Sequence, residues 1–330
     1  MRLVYLGTPQ VAVPPLEALL ASHHEIAAVV TRPDRPRDHA GGRPSPSPVK
    51  QVALRAGLPL LQPERGRDPE LPGRLAAFAA DIGVTCAFGL LLPRPVLDAF
   101  PRGVINLHFS LLPAYRGAAP VQRALLDGAT VTGVCTFLLD EGMDTGPLLL
   151  SREVPVLPDE DAGALTTRLA EIGAALVVDT LNGLETGTLQ PRPQLEAGVS
   201  LAPKVQAEEA RLDWSAPAPR LLAAVRAFTP APGAWTTLGG RRLKVLRLAP
   251  APASDDPAAA NLKPGQLALG RDGRLLAGSG DGAVELVEVQ PEGRRAMAGA
   301  DFARGARIGA PTGARSGASD QPEAGTCLGS

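Results

Sequence analysis

Residues 1–30 read MRLVYLGTPQVAVPPLEALLASHHEIAAVV, and this stretch decides the fold. Two short apolar runs, Leu3–Leu6 and Ile26–Val30, flank a helical pattern of apolar residues over Val11–Leu20. Short, continuously apolar runs are typical of strands that are buried on both faces of a parallel sheet. The stretch therefore predicts a strand-helix-strand unit, from which α/β folds are built.

The same alternation of strands and helices continues as far as residue 184. It predicts strands over Ile82–Ala87, Val104–Leu107, Val131–Leu138 and Leu148–Val156, and helices over Leu75–Ala80, Ala118–Leu126 and Ala162–Leu184. This pattern predicts the α/β class, with a doubly wound, mainly parallel, Rossmann-like sheet. Ligands of such sheets bind at the carboxyl ends of the strands, so the residues that follow each strand are the candidates for a site.

The pattern changes near residue 190. Residues 186–206 lack periodicity and contain prolines, which is typical of a linker. A predicted helix over Ala218–Phe228 is followed by short strands separated by turn signals; the strands are Ala234–Leu238, Leu243–Leu248, Gly265–Leu269, Leu275–Ala277 and Ala283–Val289. They predict a small β-barrel of the oligonucleotide-binding (OB) type. The expected organisation is a first domain over 1–188, a linker over 189–206, a barrel domain over 207–310 and a disordered tail over 311–330.

Composition and charge exclude several classes of protein. The 330 residues are 45% hydrophobic and 20% charged, and a net charge of −1 excludes a polycation and an acidic disordered chain. Residues 1–200 carry 17 basic and 21 acidic side chains, whereas residues 201–310 carry 15 and 11. The second domain is therefore the basic one.

The three cysteines, Cys86, Cys135 and Cys327, are odd in number and far apart. This excludes a disulfide framework and a CxxC metal site. The chain enters its first strand at once, so no signal peptide is expected, and no apolar run approaches the roughly 18 residues of a membrane span. We expect a soluble, cytoplasmic protein without a membrane partner.

The first strand ends in Gly7-Thr8-Pro9. A dinucleotide site would place GxGxxG here, because its glycines let the pyrophosphate approach a helix N-terminus. A single glycine followed by a turn residue and a proline disfavours a nicotinamide enzyme.

The most informative segment is Val104–Pro113, which reads VINLHFSLLP. By strand alternation Asn106, His108 and Ser110 point the same way, at the carboxyl end of a central strand. An amide and an imidazole side by side offer hydrogen-bond donors and a group that titrates near neutral pH. This favours a functional site over a structural histidine.

A second polar cluster, Asp140–Gly146 (DEGMDTG), follows the strand over Val131–Leu138. Three interpretations remain open at this point: a divalent-cation loop, a solvated turn, or a carboxylate that partners His108. The cluster lacks calcium-loop spacing, and the chain has no HExxH motif and no GxSxG elbow. A covalent intermediate is therefore not expected, and no metal site is assigned.

The stretch GVINLHFSLLPAYRGAAP (103–120), together with DEGMDTG, resembles the folate-dependent formyltransferases. Four motifs resemble most closely the members of this family that formylate methionyl-tRNA. They are AYRGAAP (114–120), PDRP (33–36), PSPVK (46–50) and EEARLDW (208–214). The resemblance extends over roughly residues 1–305. It implies transfer of a formyl group from 10-formyltetrahydrofolate to the α-amino group of methionyl initiator tRNA, as a step of translation initiation.

The resemblance also implies roles for individual residues. Asn106, His108 and Asp144 match the catalytic residues of the family. Its folate-binding loop matches Ser110, Leu111, Leu112 and Pro113, with Phe88, Gly89, Leu90 and Leu91 as a neighbouring wall. In such a reaction Asn106 and His108 would donate hydrogen bonds to the oxyanion, and His108 coupled to Asp144 would relay the proton.

Two basic features are candidates for tRNA binding. The window Trp214–Pro250 contains six basic residues and no acidic one: Arg220, Arg226, Arg241, Arg242, Lys244 and Arg247. The loop Thr31–Lys50 is net positive, and the family places it near the acceptor stem. The candidate contacts are Arg37, Arg43, Lys204, Arg241, Arg242 and Lys244. With 3% aromatic residues, phosphate contacts are expected to dominate over base stacking.

Two alternatives remain. One is a related two-domain formyltransferase or formyl-folate hydrolase with a substrate other than tRNA, which the basic window and AYRGAAP disfavour. The other is a non-catalytic RNA-binding protein with the same fold, which the intact set Asn106, His108 and Asp144 disfavours. We expect the enzyme to be a monomer.

Overall fold

The structure is a computed structural model that describes residues 1–34, 45–251, 261–308 and 327–329. The chain forms two compact units. Unit 1 consists of Met1–Val121, Thr130–Val156 and Leu165–Pro203, and unit 2 of Gln122–Ala129, Leu157–Ala164 and Lys204–Ser330. Among the described residues, no helix has the length and hydrophobicity needed to cross a membrane.

Unit 1 contains a seven-stranded sheet in the order β3-β2-β1-β4-β5-β6-β7. Its strands are β1 (Arg2–Gly7), β2 (Glu25–Val30), β3 (Leu60–Leu61), β4 (Ile82–Cys86), β5 (Val104–His108), β6 (Val131–Leu138) and β7 (Leu148–Pro155). Neighbouring strands from β3 to β5 are parallel, whereas β6 runs antiparallel to both β5 and β7. The predicted doubly wound, mainly parallel sheet is confirmed.

Outside the barrel, helices occur where they were predicted over Val11–Leu20, Ala118–Leu126 and Ala162–Leu184, whereas the short helices Pro48–Arg55 and Arg94–Leu97 were not predicted. In chain order the helices are a 3-10 turn (Gln10–Ala12), α1 (Val13–Leu20), α2 (Pro48–Arg55), α3 (Leu71–Ala76), α4 (Arg94–Leu97), α5 (Pro120–Leu126) and α6 (Ala162–Thr186). The helix predicted over Leu75–Ala80 ends at Ala76, because Ala79 adopts a left-handed backbone (φ 48°) that cannot continue a helix. The helix α2 begins at Pro48, a residue favoured at the first helical position. The preceding Ser47 caps it, because its side chain accepts a hydrogen bond from the Lys50 amide.

Unit 2 is built on an antiparallel sheet in the order β10-β11-β12-β9-β8, with β13 paired to β12. Its elements are a 3-10 turn (Glu208–Ala210), α7 (Ala218–Phe228), β8 (Trp235–Leu238), β9 (Arg241–Pro250), β10 (Leu267–Leu269), β11 (Leu275–Gly278), β12 (Ala283–Pro291), β13 (Met297–Ala298) and α8 (Gly299–Gly305). The core includes Trp214, whose indole Nε1 donates to Thr236 Oγ1 at 3.0 Å.

The two edges of this sheet are joined by residues 327–329. Cys327 pairs with Gln266 next to β10, and Leu328 pairs with Leu238 at the end of β8. Because consecutive Cα atoms are only about 3.8 Å apart, the two edges must lie close together, and the sheet is curled. This confirms the antiparallel, barrel-like domain predicted for this part of the chain.

The predicted disordered tail over 311–330 needs one correction. Residues 311–326 and 330 lie outside the described residues. Leu328, however, is buried in the core of unit 2, its amide donates to the Gly265 carbonyl at 2.7 Å, and the Gly329 amide donates to Thr237 at 2.8 Å. A lone apolar residue in a small-residue tail gives no periodic pattern, so only its tertiary contacts reveal this strand pairing.

Candidate active site

Asn106 and His108 lie two residues apart in β5 and therefore on the same face of the sheet. Asn106 is half-buried and His108 is buried, with 5% of its surface exposed. Phe137 of β6 packs edge-on against the imidazole, with 6.3 Å between the ring centroids. The strand therefore places an amide and an imidazole in a largely water-excluded environment.

The position of the proton on His108 follows from its hydrogen bond. His108 Nε2 lies 3.0 Å from the Tyr115 carbonyl oxygen, which can only accept, so Nε2 carries a hydrogen and donates it. In the neutral imidazole the lone pair is then on Nδ1, which lies 3.7 Å from Asp144 Oδ2. Nδ1 is thus the basic nitrogen, and a carboxylate faces it.

The environment of His108 acts on its pKa in two directions. Burial lowers the pKa of His108, because the charged imidazolium loses its hydration. The Asp144 carboxylate and the Tyr115 carbonyl oppose this by favouring the imidazolium, and the net shift is downward from the ordinary value. His108 is therefore a neutral base at pH 7, and the nearby carboxylate stabilises its protonated form.

The loop Asp140–Gly146 brings Asp144 to His108. Asp144 has a left-handed backbone (φ 52°), and a Cβ atom on Gly146 would lie 1.8 Å from the Leu138 carbonyl oxygen, so only glycine lets the loop pack back on β6. Asp140, in contrast, is exposed and accepts from the Gly142 amide at 3.0 Å and the Thr145 hydroxyl at 2.7 Å. Of the three interpretations of this cluster, the geometry favours the carboxylate partner of His108, and that carboxylate is Asp144.

Main-chain atoms of residues 115–117 bind both His108 and Asp144. The Tyr115 carbonyl accepts from His108 Nε2, and the Gly117 amide donates to Asp144 Oδ2 at 2.7 Å. Sequence reasoning did not assign a role to these residues, although the quoted AYRGAAP stretch contains them. Their contribution comes from main-chain atoms, which a side-chain pattern does not reveal.

The segment 115–117 is itself fixed by residues 200–202. The Tyr115 amide donates to Ser200 Oγ at 2.8 Å. The Arg116 amide donates to the Ser200 carbonyl at 2.9 Å, and the Arg116 carbonyl accepts from the Ala202 amide at 2.6 Å. These contacts lie in the segment predicted as a linker over 189–206. Its part up to residue 203 belongs to unit 1 and supports the site.

Gln194 lies in the same segment, 189–206, and sequence reasoning assigned no role to it either. Its side-chain amide donates to the carbonyl oxygens of Asp144 and Gly146, both at 2.8 Å. Its oxygen accepts from Arg116 Nε at 3.1 Å and Nη2 at 2.6 Å. Gln194, Arg116 and Thr145 line a cavity of about 490 Å³, and the remaining lining residues are Pro147, Pro193, Leu195, Glu196 and Val199. The sequence gives no signal for this contact.

The residues predicted to bind folate follow β4 and β5. Ser110 is fully buried, and its hydroxyl donates to the Ala114 carbonyl at 2.7 Å, so it shapes the turn after β5. Leu111 is half-buried, Leu112 is buried, and the Leu112–Pro113 peptide bond is cis. After β4, Phe88 is buried, Gly89 is exposed, Leu90 is half-buried and Leu91 is 86% exposed. Both stretches thus lie at the carboxyl ends of neighbouring strands, as the sequence predicted.

The described residues contain one group of three side chains that could hold a metal ion: His23, His24 and Glu185. The N-terminal ammonium of Met1 lies 2.7 Å from Glu185 and 3.1 Å from His24 Nδ1. The ammonium and His23 satisfy the Glu185 carboxylate, and His23 lowers the pKa of Glu185 to about 2 by hydrogen bonding. These contacts account for the cluster as an ion-pair network.

Two of the predicted tRNA contacts, Arg37 and Arg43, lie outside the described residues. The base of their loop is described. Lys50 pairs with Asp34 at 2.7 Å, and its hydrogen bond holds the pKa of Asp34 below its usual range. The PDRP and PSPVK motifs therefore contribute an ion pair that joins the two ends of the loop.

The other predicted tRNA contacts, Lys204, Arg241, Arg242 and Lys244, are all exposed. Among the described residues the last three take part in no ion pair. The Arg242 guanidinium stacks 4.3 Å from the centre of the Trp235 ring. Elsewhere in the basic window, Arg220 and Arg247 are exposed, and Arg247 lies opposite Glu288 in the sheet. Arg226 is half-buried and donates to the Glu160 and Leu157 carbonyls.

Residues 1–181 match the formyl transferase family, and residues 204–307 match the C-terminal domain of formyl transferases. The chain therefore belongs to the formyl transferase family, which confirms the resemblance found in its sequence.

Two relatives make the likeness more specific. The methionyl-tRNA formyltransferase of Streptomyces coelicolor is 51% identical over 309 residues, and that of Streptomyces griseus is 50% identical over 309 residues. Each alignment covers 93% of this chain and 97% of the relative. Among solved structures, the N-formyltransferase from Helicobacter canadensis in complex with folinic acid and dTDP-3-aminofucose has a TM-score of 0.64 at 16% identity and covers 88% of this chain and 98% of that chain. At that identity the likeness shows the fold.

Proposed function

We propose that this chain transfers the formyl group of 10-formyltetrahydrofolate to the α-amino group of methionyl initiator tRNA, as a step of translation initiation. The observation that carries the proposal is the identity of about 50%, over nearly the full length, to proteins named methionyl-tRNA formyltransferase. Folate is a co-substrate, and no metal is required by the chemistry.

The reaction exchanges one C–N bond for another. The amine nitrogen of methionine attacks the formyl carbon, the tetrahedral intermediate collapses, and the bond to the folate nitrogen breaks. The amine loses a proton and the departing nitrogen gains one, so the net products are formylmethionyl-tRNA and tetrahydrofolate. The enzyme must therefore stabilise an oxyanion and move one proton.

His108 is suited to move the proton. Its Nε2–H is engaged with Tyr115, so Nδ1 is the nitrogen that accepts a proton from the amine. Asp144, 3.7 Å away, stabilises the imidazolium that results, which then donates to the leaving nitrogen. A group of this kind typically contributes about 10²–10⁴-fold to the rate.

Asn106 is suited to stabilise the oxyanion. Its amide N–H is a donor in every protonation state, whereas Nδ1 of His108 donates only after it has taken up a proton. The half-buried position of Asn106 strengthens such a hydrogen bond, because competing water is reduced. The proposed roles thus differ: Asn106 stabilises charge, and His108 with Asp144 transfers the proton.

The first test is turnover of the purified protein with 10-formyltetrahydrofolate and methionyl initiator tRNA. We expect formyl transfer by the wild type and a loss of about 10²–10⁴-fold in His108→Ala and in Asp144→Ala. Circular dichroism and tRNA binding should stay close to wild type. Near-normal turnover in either variant would contradict the catalytic assignment.

An amino-sugar nucleotide in place of tRNA serves as the control for the alternative formyltransferase. The Helicobacter canadensis neighbour was crystallised with such a nucleotide, but its identity to this chain is 16%, against 51% for a tRNA-dependent relative. Formylation of the sugar without formylation of tRNA would reverse the proposal. Because the charged tRNA is a cytoplasmic substrate, we place the enzyme in the cytoplasm, and we propose that it acts as a monomer.

Arg241, Arg242 and Lys244 are proposed to contact tRNA phosphates. The variant Arg241→Ala/Arg242→Ala should weaken tRNA binding and reduce the slope of log affinity against log salt by roughly 1 to 2, since each lost phosphate contact removes about 0.9 of slope. Arg226→Ala is the matched control, because the backbone carbonyls of unit 2 already engage that guanidinium. An unchanged slope in the double variant would exclude this patch.

A further inference from the structure

We propose that Gln194 is a positioning residue that holds the Asp144 loop in the geometry required for proton transfer; this inference rests on the function proposed above. The two hydrogens of its side-chain amide point to the carbonyl oxygens of Asp144 and Gly146, each at 2.8 Å. Gln194 thus fixes the main chain on both sides of Thr145, next to the carboxylate.

Arg116 fixes the orientation of the Gln194 amide. The guanidinium donates to Gln194 Oε1 through Nε at 3.1 Å and Nη2 at 2.6 Å. Turning the amide over would place its NH₂ against the guanidinium and its oxygen against two carbonyl oxygens, and four hydrogen bonds would be lost. Gln194 therefore presents its donors to the Asp144 loop in one orientation.

The Asp144 loop needs such support. The left-handed backbone of Asp144 (φ 52°) is unfavourable for a residue with a Cβ and persists only where surrounding contacts impose it. The Gly117 amide holds the carboxylate, and Gln194 holds the main chain of the same residue. Since Gly117 and Arg116 are neighbours, one rigid segment fixes Asp144 at two points.

Without Gln194, the loop has fewer contacts to maintain the distance between Asp144 and His108. Displacement of the carboxylate weakens its stabilisation of the His108 imidazolium, and the pKa of His108 should fall further. The proton-transfer step should slow, because misplacement by about 1 Å can cost about 10²-fold. Substrate affinity should change little, since the side-chain amide of Gln194 is already engaged by Asp144, Gly146 and Arg116.

The experiment compares Gln194→Ala and Gln194→Glu with Gln190→Ala. Gln194→Glu keeps the length of the side chain and the oxygen for Arg116, but it removes the N–H donors to Asp144 and Gly146. Gln190 is a matched control, because it is an exposed glutamine of the same segment; within the described part of the chain its side chain makes one hydrogen bond, to the Gly187 carbonyl at 3.4 Å. All proteins are assayed as full-length chains with methionyl initiator tRNA.

Both Gln194 variants should lose about 10- to 100-fold in kcat with KM for each substrate within about threefold of wild type, while Gln190→Ala matches wild type. In an NMR titration, the pKa of His108 should fall in Gln194→Ala, which adds no charge near the imidazole; the chain has only four histidines, and His108→Ala assigns the signal. Unchanged kcat and pKa, or an effect on KM or thermal stability alone, would overturn the proposal. The titration needs no substrate, so it tests Gln194 even if wild-type protein does not formylate methionyl-tRNA.

Discussion

Replacing Gly117 with alanine should impair catalysis through the main chain alone. Gly117 has φ +128°, a conformation that side-chain-bearing residues rarely adopt, and a Cβ atom would lie 2.6 Å from the Ala202 carbonyl oxygen. An ordinary carbon-to-oxygen contact needs about 3.3 Å or more. The peptide of residue 117 must therefore move by about 0.7 Å, or the segment at Ala202 must give way.

This displacement acts directly on Asp144. The hydrogen bond from the Gly117 amide to Asp144 Oδ2 is 2.7 Å long, and about 0.7 Å of added length takes it beyond normal range. A hydrogen bond to a charged group is worth about 1.5–3 kcal/mol. If the transition state loses that amount, kcat falls by about 10- to 150-fold. The strained backbone should also lower the free energy of unfolding by about 1–3 kcal/mol.

The assay measures initial rates of formyl transfer, together with thermal unfolding to quantify the folded fraction. Gly57→Ala is the matched control, because Gly57 also has a left-handed backbone (φ +66°) but nothing within 4 Å of a Cβ atom. That variant should lose stability and keep its kcat. If Gly117→Ala, corrected for folded fraction, turns over like wild type, the amide of residue 117 does not set the position of Asp144.

Two other predictions follow from pKa shifts. Asp144→Asn removes the charge that raises the pKa of His108, so the pKa of His108 should fall further because of burial. The acidic limb of the plot of kcat against pH should then move to lower pH. An unmoved limb would contradict the electrostatic interaction between Asp144 and His108. Burial raises the pKa of Cys86 and of Cys135 to about 12, which leaves a thiolate fraction of only about 10⁻⁴ at pH 8. In native protein, a disulfide reagent should therefore react quickly with the half-buried Cys327 alone. In denaturant it should react with all three thiols. Rapid reaction of a second thiol in native protein would show that the core opens.

Much of the fold could be predicted from the sequence because its strands are continuous apolar runs. The predicted strand over Val131–Leu138 and the predicted helix over Ala218–Phe228 have the observed boundaries. The short β3 was not predicted, because a two-residue strand gives no periodicity. The left-handed residue Ala79 was also unpredictable, since tertiary contacts and not propensity impose that conformation.

The candidate site was predictable as far as it depends on side chains next to strand ends. Asn106 and His108 stand out as polar residues in an apolar strand, and Asp144 was identified through the family resemblance. The roles proposed for these residues remain predictions. The structure adds the distance from His108 Nδ1 to Asp144 Oδ2. It also shows that Nε2 donates a hydrogen bond to the Tyr115 carbonyl, which places the hydrogen of the neutral imidazole on Nε2.

The sequence by itself determined the α/β class, the sheet with candidate site residues at its strand ends, and the family, because these depend on local periodicity and on short contiguous motifs. Only the tertiary structure decided that Gln194 contacts Asp144 across 50 residues of sequence and that Leu328 closes the barrel-like sheet. Such contacts are made by single side chains or main-chain atoms far apart in the chain. They leave no periodic trace in the sequence, because their energy depends on the distance and orientation that folding alone provides.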